Sequence, residues 1–253
     1  MRTLQIRDTN KASVIEFYEK EAQSYDEKRS SSAAGKFIWG TERGMILNLC
    51  EDIKRKKILD LGAGTGRFSI ELAKNGANIV SYDPAKAMIK VINEKSYKEN
   101  VIERISFVQG DGKKLPFKDS SFDGIICMYV LSHLSTYKDV LREMKRVIKP
   151  DGFIIANFPN ILSTYLPAAI YVNVTHHAVG KRVYSKFFTK NKVKKTLESA
   201  GFVIEEVRGS IFLHPRFVPE KLYNMLSTLE NFTSNSFLKN FSLDFIVKAV
   251  KNK

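Results

Sequence analysis

A strand, a glycine-rich turn and a helix follow one another in KKILDLGAGTGRFSIELAKNG, residues 56–76, and this succession constrains the fold more than any other feature. The apolar run KKILDL predicts a short buried strand, and RFSIELAKNG predicts a helix that ends at a left-handed Asn-Gly cap. Gly62, Gly64 and Gly66 lie between them. Glycines this dense allow backbone to approach a ligand closely at the carboxyl end of the strand.

Strands and helices then alternate as far as residue 159. The predicted strands are ANIVSYD, RISFVQGD, SFDGIICMYV and FIIANF, and the predicted helices between them are PAKAMIKVINEK and YKDVLREMKRVIKPDG. Pro84 is expected at the first position of its helix, where the missing N–H is harmless. Because the elements alternate across short connections, we expect an α/β fold with a doubly wound, Rossmann-like parallel sheet.

The glycine spacing separates three kinds of ligand. A P-loop requires Gly-Lys-Ser/Thr, but Arg67 and Phe68 follow Gly66, so no lysine is placed to reach a β-phosphate. A dinucleotide loop would have its third glycine where Arg67 stands, which weakens that interpretation without excluding it. The third candidate is a phosphate-free nucleoside that carries an amino-acid tail.

Three acidic residues favour the third candidate, since each ends a successive predicted strand. Asp60 suits an ammonium group, Asp83 is placed to accept hydrogen bonds from ribose hydroxyls, and Asp111 is placed to accept one from an adenine amine. Each alone has an ordinary alternative role as a helix cap, a turn former or a surface charge. Together they fit S-adenosylmethionine.

Four motifs, in this order, resemble those of the class I S-adenosylmethionine-dependent methyltransferases. They are ILDLGAGTGRFSIELA, YDPAKAMI, VQGDGKKLPFKDSSFDGIICMYVLSHL and LREMKRVIKPDGFIIANFP. Within that class the chain is similar to the ubiquinone/menaquinone C-methyltransferase group of small-molecule enzymes. The resemblance implies a seven-stranded, mostly parallel sheet with an antiparallel last strand at 241–250 and helices on both faces. It also implies S-adenosylmethionine as cofactor and S-adenosylhomocysteine as product.

The resemblance further implies a set of cofactor-binding residues. These are Asp60, Gly62, Ala63, Gly64, Gly66, Asp83, Pro84, Met88, Asp111, Gly112 and Met128. An amino-terminal motif, Tyr18-x-x-x-Ala-x-x-Tyr25-Asp26, matches a family helix that folds over the cofactor, so Tyr25 is a lid candidate. Its alternative role is to anchor the helix to the core. Arg43 is a further candidate, as partner of the cofactor carboxylate.

The chain is interpreted as a single methyltransferase domain, residues 1–253. We expect an amino-terminal helical lid over 1–50, a cofactor-binding core over 56–159 and substrate-side insertions over 160–188 and 211–240. The first twenty residues contain no apolar leader, and no run is apolar enough for a membrane span, so we expect a cytoplasmic protein. Cys50 and Cys127 lack the spacing of a zinc site, and no metal is expected.

The formal net charge of +14 leaves the methyl acceptor open. Such a charge attracts RNA or acidic substrates, but the lysines are scattered and no RNA-binding module is visible. We expect a small-molecule or lipid-like acceptor; the alternatives are a tRNA or rRNA methyltransferase and a non-catalytic S-adenosylmethionine-binding protein. The sequence gives no expectation for the oligomeric state.

His133 is the candidate catalytic base, because it follows the fourth predicted strand and imidazole titrates near neutral pH. Its alternative roles are to cap the next helix or to touch the cofactor. His176 and His177 fall in the first insertion and are weaker candidates for substrate binding.

Overall fold

The apolar runs of the sequence become strands of one sheet in the computed structural model, which describes residues 11–166 and 185–252. The strands are β1 Lys57–Leu61, β2 Asn78–Asp83, β3 Ile105–Gln109, β4 Phe122–Cys127, β5 Ile148–Pro159, β6 Phe202–Ser210 and β7 Asp244–Lys251. The helices of the described residues are α1 Lys11–Glu21, α2 Tyr25–Ser30, α3 Ala33–Cys50, α4 Arg67–Lys74, α5 Lys86–Lys98, α6 Tyr137–Val147, α7 Lys190–Ser199 and α8 Tyr223–Asn235. None of these helices combines the length and apolarity that crossing a membrane requires.

The sheet has the strand order β3-β2-β1-β4-β5-β7-β6. β1 to β5 pair in parallel, and β7 runs antiparallel to both β5 and β6. The order reverses at β1, from which the chain first winds towards β3 and then towards β6. This arrangement confirms the predicted doubly wound sheet with its antiparallel last strand.

Helices cover both faces of the sheet, which explains why the sequences of the strands are continuously apolar. Ile58 and Leu59 are adjacent in β1, point to opposite faces and are both fully buried. Ile58 packs in the core formed with α3 and α4, whereas Leu59 packs in the core formed with α6 and α7. A strand buried on both faces has no polar side to alternate with.

The amino-terminal region differs from the predicted pattern at two places. SVIEFYEKEAQSYDEK, whose apolar residues have the spacing of one helix, is divided between α1 and α2, and SSSAAGK, whose composition indicates a break in the helical pattern, contains the start of α3. Ser32 explains the second difference, because its Oγ accepts a hydrogen bond from the Gly35 N–H at 3.0 Å. That serine is the N-cap of α3.

Two carboxylates fasten the amino-terminal helices to the rest of the chain. Glu19 of α1 accepts hydrogen bonds from the backbone N–H groups of Lys86, at 2.6 Å, and Ala87, at 2.9 Å. It therefore caps the start of α5, which begins at Lys86 and not at Pro84 as predicted. Asp26 of α2 accepts hydrogen bonds from the Thr65 hydroxyl and the Lys95 ammonium, both at 2.6 Å.

The carboxyl-terminal region departs from the sequence-based bounds at one end of the last strand. β7 begins at Asp244, whereas 237–241 form a short 3₁₀ helix that Ser236 caps through its hydroxyl. Residues 167–184 of the first predicted insertion, including His176 and His177, lie outside the described residues.

Gly66 generates a prediction about stability. It has φ +77°, and a Cβ there would lie 2.8 Å from Cγ2 of Ile92 in α5. We expect Gly66→Ala to lower the free energy of unfolding by about 1–3 kcal/mol, through backbone strain and overpacking. Chemical denaturation measures this change.

Gly40 provides the matched control. It lies exposed inside α3, and a Cβ there would meet nothing within 4 Å. Gly40→Ala should raise the free energy of unfolding by about 0.5–1 kcal/mol, because alanine is the better helix former. Equal effects of the two substitutions would contradict the packing role of Gly66.

Candidate functional site

A cavity of about 760 Å³ lies at the carboxyl edge of the parallel strands. It brings together nearly all the residues that the sequence singled out. The predicted residues that line it are Tyr25, Asp60, Gly62, Ala63, Gly64, Asp83, Pro84, Met88, Asp111, Gly112, Met128 and His133. Gly66 does not line the cavity, and its contact with Ile92 gives it a packing role.

Asp83 fixes the shape of the glycine loop. It ends β2, and its two carboxylate oxygens accept hydrogen bonds from the N–H of Gly64, at 2.9 Å, and of Ala85, at 2.8 Å. Burial raises the pKa of this carboxyl from 3.8 to about 6, against the opposing effect of the two backbone hydrogen bonds. Each oxygen keeps a lone pair for a further donor, which is the chemistry that a ribose diol requires.

The backbone at Gly64 leaves open space. Gly64 has φ +56°, and a Cβ built there would meet no other atom within 4 Å. The main chain at this point therefore presents itself to the cavity without a side chain or a neighbour between them. A nucleoside that packs against the main chain fits this space, as the class I cofactor would.

The side chain of Asp60 is almost fully buried, which the sequence alone does not predict. It is 2% exposed, and its Oδ2 accepts a hydrogen bond from the Ser69 hydroxyl at 2.6 Å. Burial, with a smaller contribution from the charge of Asp83, raises the pKa of Asp60 to about 6 against the opposing effect of the hydrogen bonds from Ser69. Two buried carboxyls beside one cavity favour a ligand with positive charge, which S-adenosylmethionine carries on its sulfonium and its ammonium.

The other predicted cofactor residues follow β2 and β3. Pro84 and Met88 come from the β2–α5 connection and α5, and Asp111 and Gly112 come directly after β3. Asp111 accepts a hydrogen bond at Oδ1 from the Lys113 N–H, at 3.1 Å, while its backbone carbonyl accepts one from the Tyr82 hydroxyl. These bonds hold the turn whose carboxylate was predicted to meet the adenine amine.

Aromatic and cationic groups of the amino-terminal helices close one side of the cavity. The ring of Tyr25 lies 6.1 Å from that of Tyr18, and the guanidinium carbon of Arg29 lies 4.8 Å from the Tyr25 ring centroid. All three residues line the cavity. Tyr18 and Arg29 were not predicted, although Tyr18 stands in the motif that identified Tyr25.

The structure does not support the pairing predicted for Arg43. That side chain makes an ion pair with Glu71 at 2.5 Å and does not line the cavity. Arg29 and Arg67 do line it, and Arg67 is held over the Trp39 ring at 4.1 Å. These two guanidinium groups are therefore the better candidates for a cofactor carboxylate.

His133 lies in a short 3₁₀ helix, Leu131–His133, after β4. It lines the cavity, and its Nδ1 is 3.2 Å from the Ser185 hydroxyl. The N-cap of the next helix is Thr136, so the alternative role of His133 as a helix cap does not apply.

Three further polar residues, Glu42, Tyr129 and Asp244, line the cavity without having been predicted, and Asn157 connects two of them. The Tyr129 hydroxyl donates to Glu42 of α3, and the Tyr129 N–H donates to Oδ1 of Asn157, at 2.6 Å. The Asn157 amide in turn donates to Oδ1 of Asp244, at 3.1 Å. We call these four residues the acid network. They are far apart in the sequence.

Burial dominates the electrostatics of the acid network. Glu42 is 3% exposed and Asp244 is 4% exposed. Desolvation raises the pKa of both carboxyls, and that of Asp244 to about 7, with the charge of Glu42 adding to the rise and Asn157 opposing it.

Comparisons with known proteins agree with this geometry. Residues 59–156 match the family model described as a methyltransferase domain. An uncharacterized methyltransferase of Bacillus subtilis is 30% identical over 53% of this chain and 51% of its own length. The ubiquinone/menaquinone biosynthesis C-methyltransferase of Pectobacterium carotovorum is 31% identical over 59% of this chain and 60% of its own. The chain thus spans half to three fifths of these two relatives.

An uncharacterized protein of Methanocaldococcus jannaschii matches over more of its length, with 29% identity over 96% of this chain and 93% of its own.

Solved structures share the fold. A Thermotoga maritima S-adenosylmethionine-dependent methyltransferase, described as a possible histamine N-methyltransferase, superposes with a TM-score of 0.70 at 18% identity, over 94% of this chain and 99% of its own. The cyclase SpnF also superposes, with a TM-score of 0.60 at 17% identity, over 83% of this chain and 80% of its own, so fold likeness alone does not fix the reaction. The family match concerns the core alone: residues 59–156, under half of the chain, match a methyltransferase domain.

Proposed function

We propose that the whole chain is an S-adenosylmethionine-dependent methyltransferase that acts on a small-molecule or lipid-like acceptor. The observation that carries the proposal is the convergence of Asp60, Asp83 and Asp111, from the ends of successive strands, on one cavity beneath the open backbone at Gly64. The B. subtilis and P. carotovorum relatives, whose names include methyltransferase activity, support it.

The residues of the chain would serve binding, orientation and exclusion of water. When bound, S-adenosylmethionine supplies an activated methyl group on a sulfonium. Asp83 would hold the ribose, Asp60 the ammonium, and Arg29 or Arg67 the carboxylate. Tyr18 and Tyr25 would cover the site, since both line the cavity from helices that Glu19 and Asp26 fasten to the core. His133 remains a candidate for contact with the acceptor.

The lining on the far side of the cavity favours an apolar acceptor. Leu134, Tyr165, Phe187 and Leu243 lie there. The P. carotovorum relative is named for ubiquinone and menaquinone biosynthesis, which agrees with a ring-bearing or lipid-like substrate. The second predicted insertion reaches this side through His214, whose ring stacks on Tyr165 at 4.9 Å.

An incorporation assay tests the proposal. The protein is incubated with S-adenosylmethionine labelled on its methyl group, together with separated lipid, small-metabolite and RNA fractions of a cell extract. Label is expected in the lipid or small-metabolite fraction. Label in RNA would establish the RNA alternative. Cofactor binding without incorporation into any fraction would favour the non-catalytic alternative.

Substitution of Asp83 tests the ribose assignment. Asp83→Asn removes the charge and turns an amide donor towards a backbone N–H, at Gly64 or at Ala85. We expect the affinity for S-adenosylhomocysteine, measured by calorimetric titration, to fall by about 1.5–3 kcal/mol, or roughly 10- to 100-fold. Asp151→Asn, at an exposed position in β5, is the control and should bind normally. Unchanged affinity in Asp83→Asn would refute the assignment.

The raised pKa values of Asp60 and Asp83 predict a pH dependence of binding. Both are about 6 in the free protein, and a cationic cofactor that hydrogen-bonds the ionised carboxylates would lower them, so binding releases protons. Affinity for S-adenosylmethionine should be constant above pH 7 and fall as the pH decreases below 6, by up to about tenfold per pH unit for each protonated group. Calorimetry in buffers of different ionisation enthalpy counts the protons. A dissociation constant that is level from pH 5 to 8 would contradict this linkage.

The fastening of α2 generates a prediction about retention of the cofactor. Asp26→Asn weakens the bonds to Thr65 and Lys95, and we expect faster dissociation of S-adenosylhomocysteine, by about 3- to 10-fold, in stopped-flow fluorescence. Glu16→Gln is the control, because Glu16 is exposed and pairs only with Lys20 among the described residues. If both variants release the ligand at the wild-type rate, α2 does not act as a lid.

A further inference from the structure

We propose that the acid network, Glu42, Tyr129, Asn157 and Asp244, is the acceptor subsite of the cavity, where the carboxyls receive the proton that the methyl acceptor loses. The acceptor is therefore a molecule whose nucleophilic oxygen or nitrogen bears hydrogen, and not a carboxylate or a phosphate. This inference rests on the proposed methyltransferase function and names the acceptor chemistry of the same site.

The fold places one end of the network, Asn157 and Asp244, on β5 and β7, which lie two and three strands from β1 in the sheet. Asn157 lies near the end of β5, and Asp244 begins the antiparallel β7, opposite Pro159. Tyr129 follows Met128, the residue predicted to lie near the methionine portion of the cofactor. The network thus lies beyond the position expected for the transferable methyl group, as an acceptor subsite must.

The network leaves hydrogen-bonding capacity for a ligand. Glu42 accepts the Tyr129 hydroxyl at Oε1, and Asp244 accepts the Asn157 amide at Oδ1. The second oxygen of each carboxyl has no hydrogen-bond partner among the described residues. Both side chains are more than nine-tenths buried, and both line the cavity. Because both residues line the cavity, these oxygens can accept a hydrogen bond from a donor in the cavity.

Positive groups of the chain do not neutralise the network. Among the described residues, neither carboxyl has a cationic side chain within ion-pair distance. Arg29 and Arg67 influence Glu42 from farther away, and each guanidinium lies over an aromatic ring, that of Tyr25 or of Trp39. The charge of Glu42 raises the pKa of Asp244, and Asp244 in turn raises the pKa of the Tyr129 hydroxyl.

Two coupled acids of this kind hold one proton between them more readily than none. Because the pKa of Asp244 is about 7, the network can accept a proton near neutral pH. During transfer, a lone pair on the acceptor oxygen or nitrogen forms the new bond to the methyl carbon as the carbon–sulfur bond breaks. The electrons of that broken bond stay on sulfur, and the acceptor proton passes to a network carboxylate. Charge and atoms balance without a further reactant.

Tyr129 acts as a positioning residue. It has φ +60°, which is rare for a tyrosine, and its N–H bond to Asn157 and its hydroxyl bond to Glu42 hold it there. Strain of this kind persists only where the surroundings determine the backbone, as they do between β4 and α3.

Binding of defined probes to the protein saturated with S-adenosylhomocysteine tests the proposal. The probes are hydroquinone, benzylamine and benzoate, which share a ring and differ in the group presented. We expect hydroquinone or benzylamine to bind at least tenfold more tightly than benzoate. An affinity for benzylamine that increases as the pH rises through 7 would identify an amine acceptor. An affinity for hydroquinone that stays constant or decreases over the same pH range would identify a hydroxyl acceptor. Benzoate bound as tightly as both would overturn the proposal.

Variants separate this inference from the proposed function. Glu42→Gln and Asp244→Asn should each weaken the preferred probe by about tenfold or more, while S-adenosylhomocysteine affinity changes less than twofold. Glu103→Gln, at an exposed position, is the control. Because the two network variants lie on different elements, a folding defect in one, detected by its melting temperature, leaves the other informative. A wild-type protein that binds no cofactor would refute the proposed function. Normal cofactor binding with unaltered probe binding in both variants would refute the acceptor subsite alone.

Discussion

One carboxylate holds the site together. Asp83 accepts hydrogen bonds from the N–H groups of Gly64 and Ala85, so it joins the glycine loop after β1 to the start of α5. Its position at the end of β2 follows from the parallel pairing of β1 and β2, which brings their carboxyl ends to one edge. The open backbone at Gly64 and the lining by Met88 both depend on this bridge. The residue predicted to bind the ribose is thus also the residue that shapes the loop facing it.

Carboxylates also attach the amino-terminal helices to the glycine loop and to α5. Glu19 satisfies the N–H groups that open α5, and Asp26 reaches the glycine loop through Thr65 and Lys95. Helices α1 and α2, which close one side of the cavity, are therefore hydrogen-bonded to the glycine loop and to α5. A ligand that orders the loop would also order α2, because the hydroxyl of Thr65 in the loop donates to Asp26 of that helix.

The sequence predicted those site residues whose positions follow from the order of the strands along the chain. Asp60, Asp83 and Asp111 could be assigned because each follows its own strand, and the sheet topology then brings them together without further information. Glu42 and Asp244 could not be assigned, because 202 positions separate them (244 minus 42) and only the packing of α3 against the β5–β7 edge places them in one network. Arg43 was assigned and Arg29 was not for a related reason: tertiary packing decides which arginine faces the cavity, and it pairs Arg43 with Glu71 while Arg29 lines the cavity.

The buried carboxyl groups lower the free energy of unfolding at neutral pH, and a bound ligand can offset this loss. Burial raises the pKa of Asp60 and Asp83 to about 6 and that of Asp244 to about 7. Because these values exceed those of the unfolded chain, the folded protein binds these protons more tightly, and the associated stability is present at low pH and declines as the pH rises through 4 to 7. At neutral pH the carboxyls of Asp60 and Asp83 are therefore mainly ionised, and neither forms an ion pair within the part of the chain that the structure describes. Bound cationic cofactor, and an acceptor that donates hydrogen bonds, would each relieve this destabilisation. The charges that destabilise the ligand-free protein thus favour ligands that carry positive charge or donate hydrogen bonds.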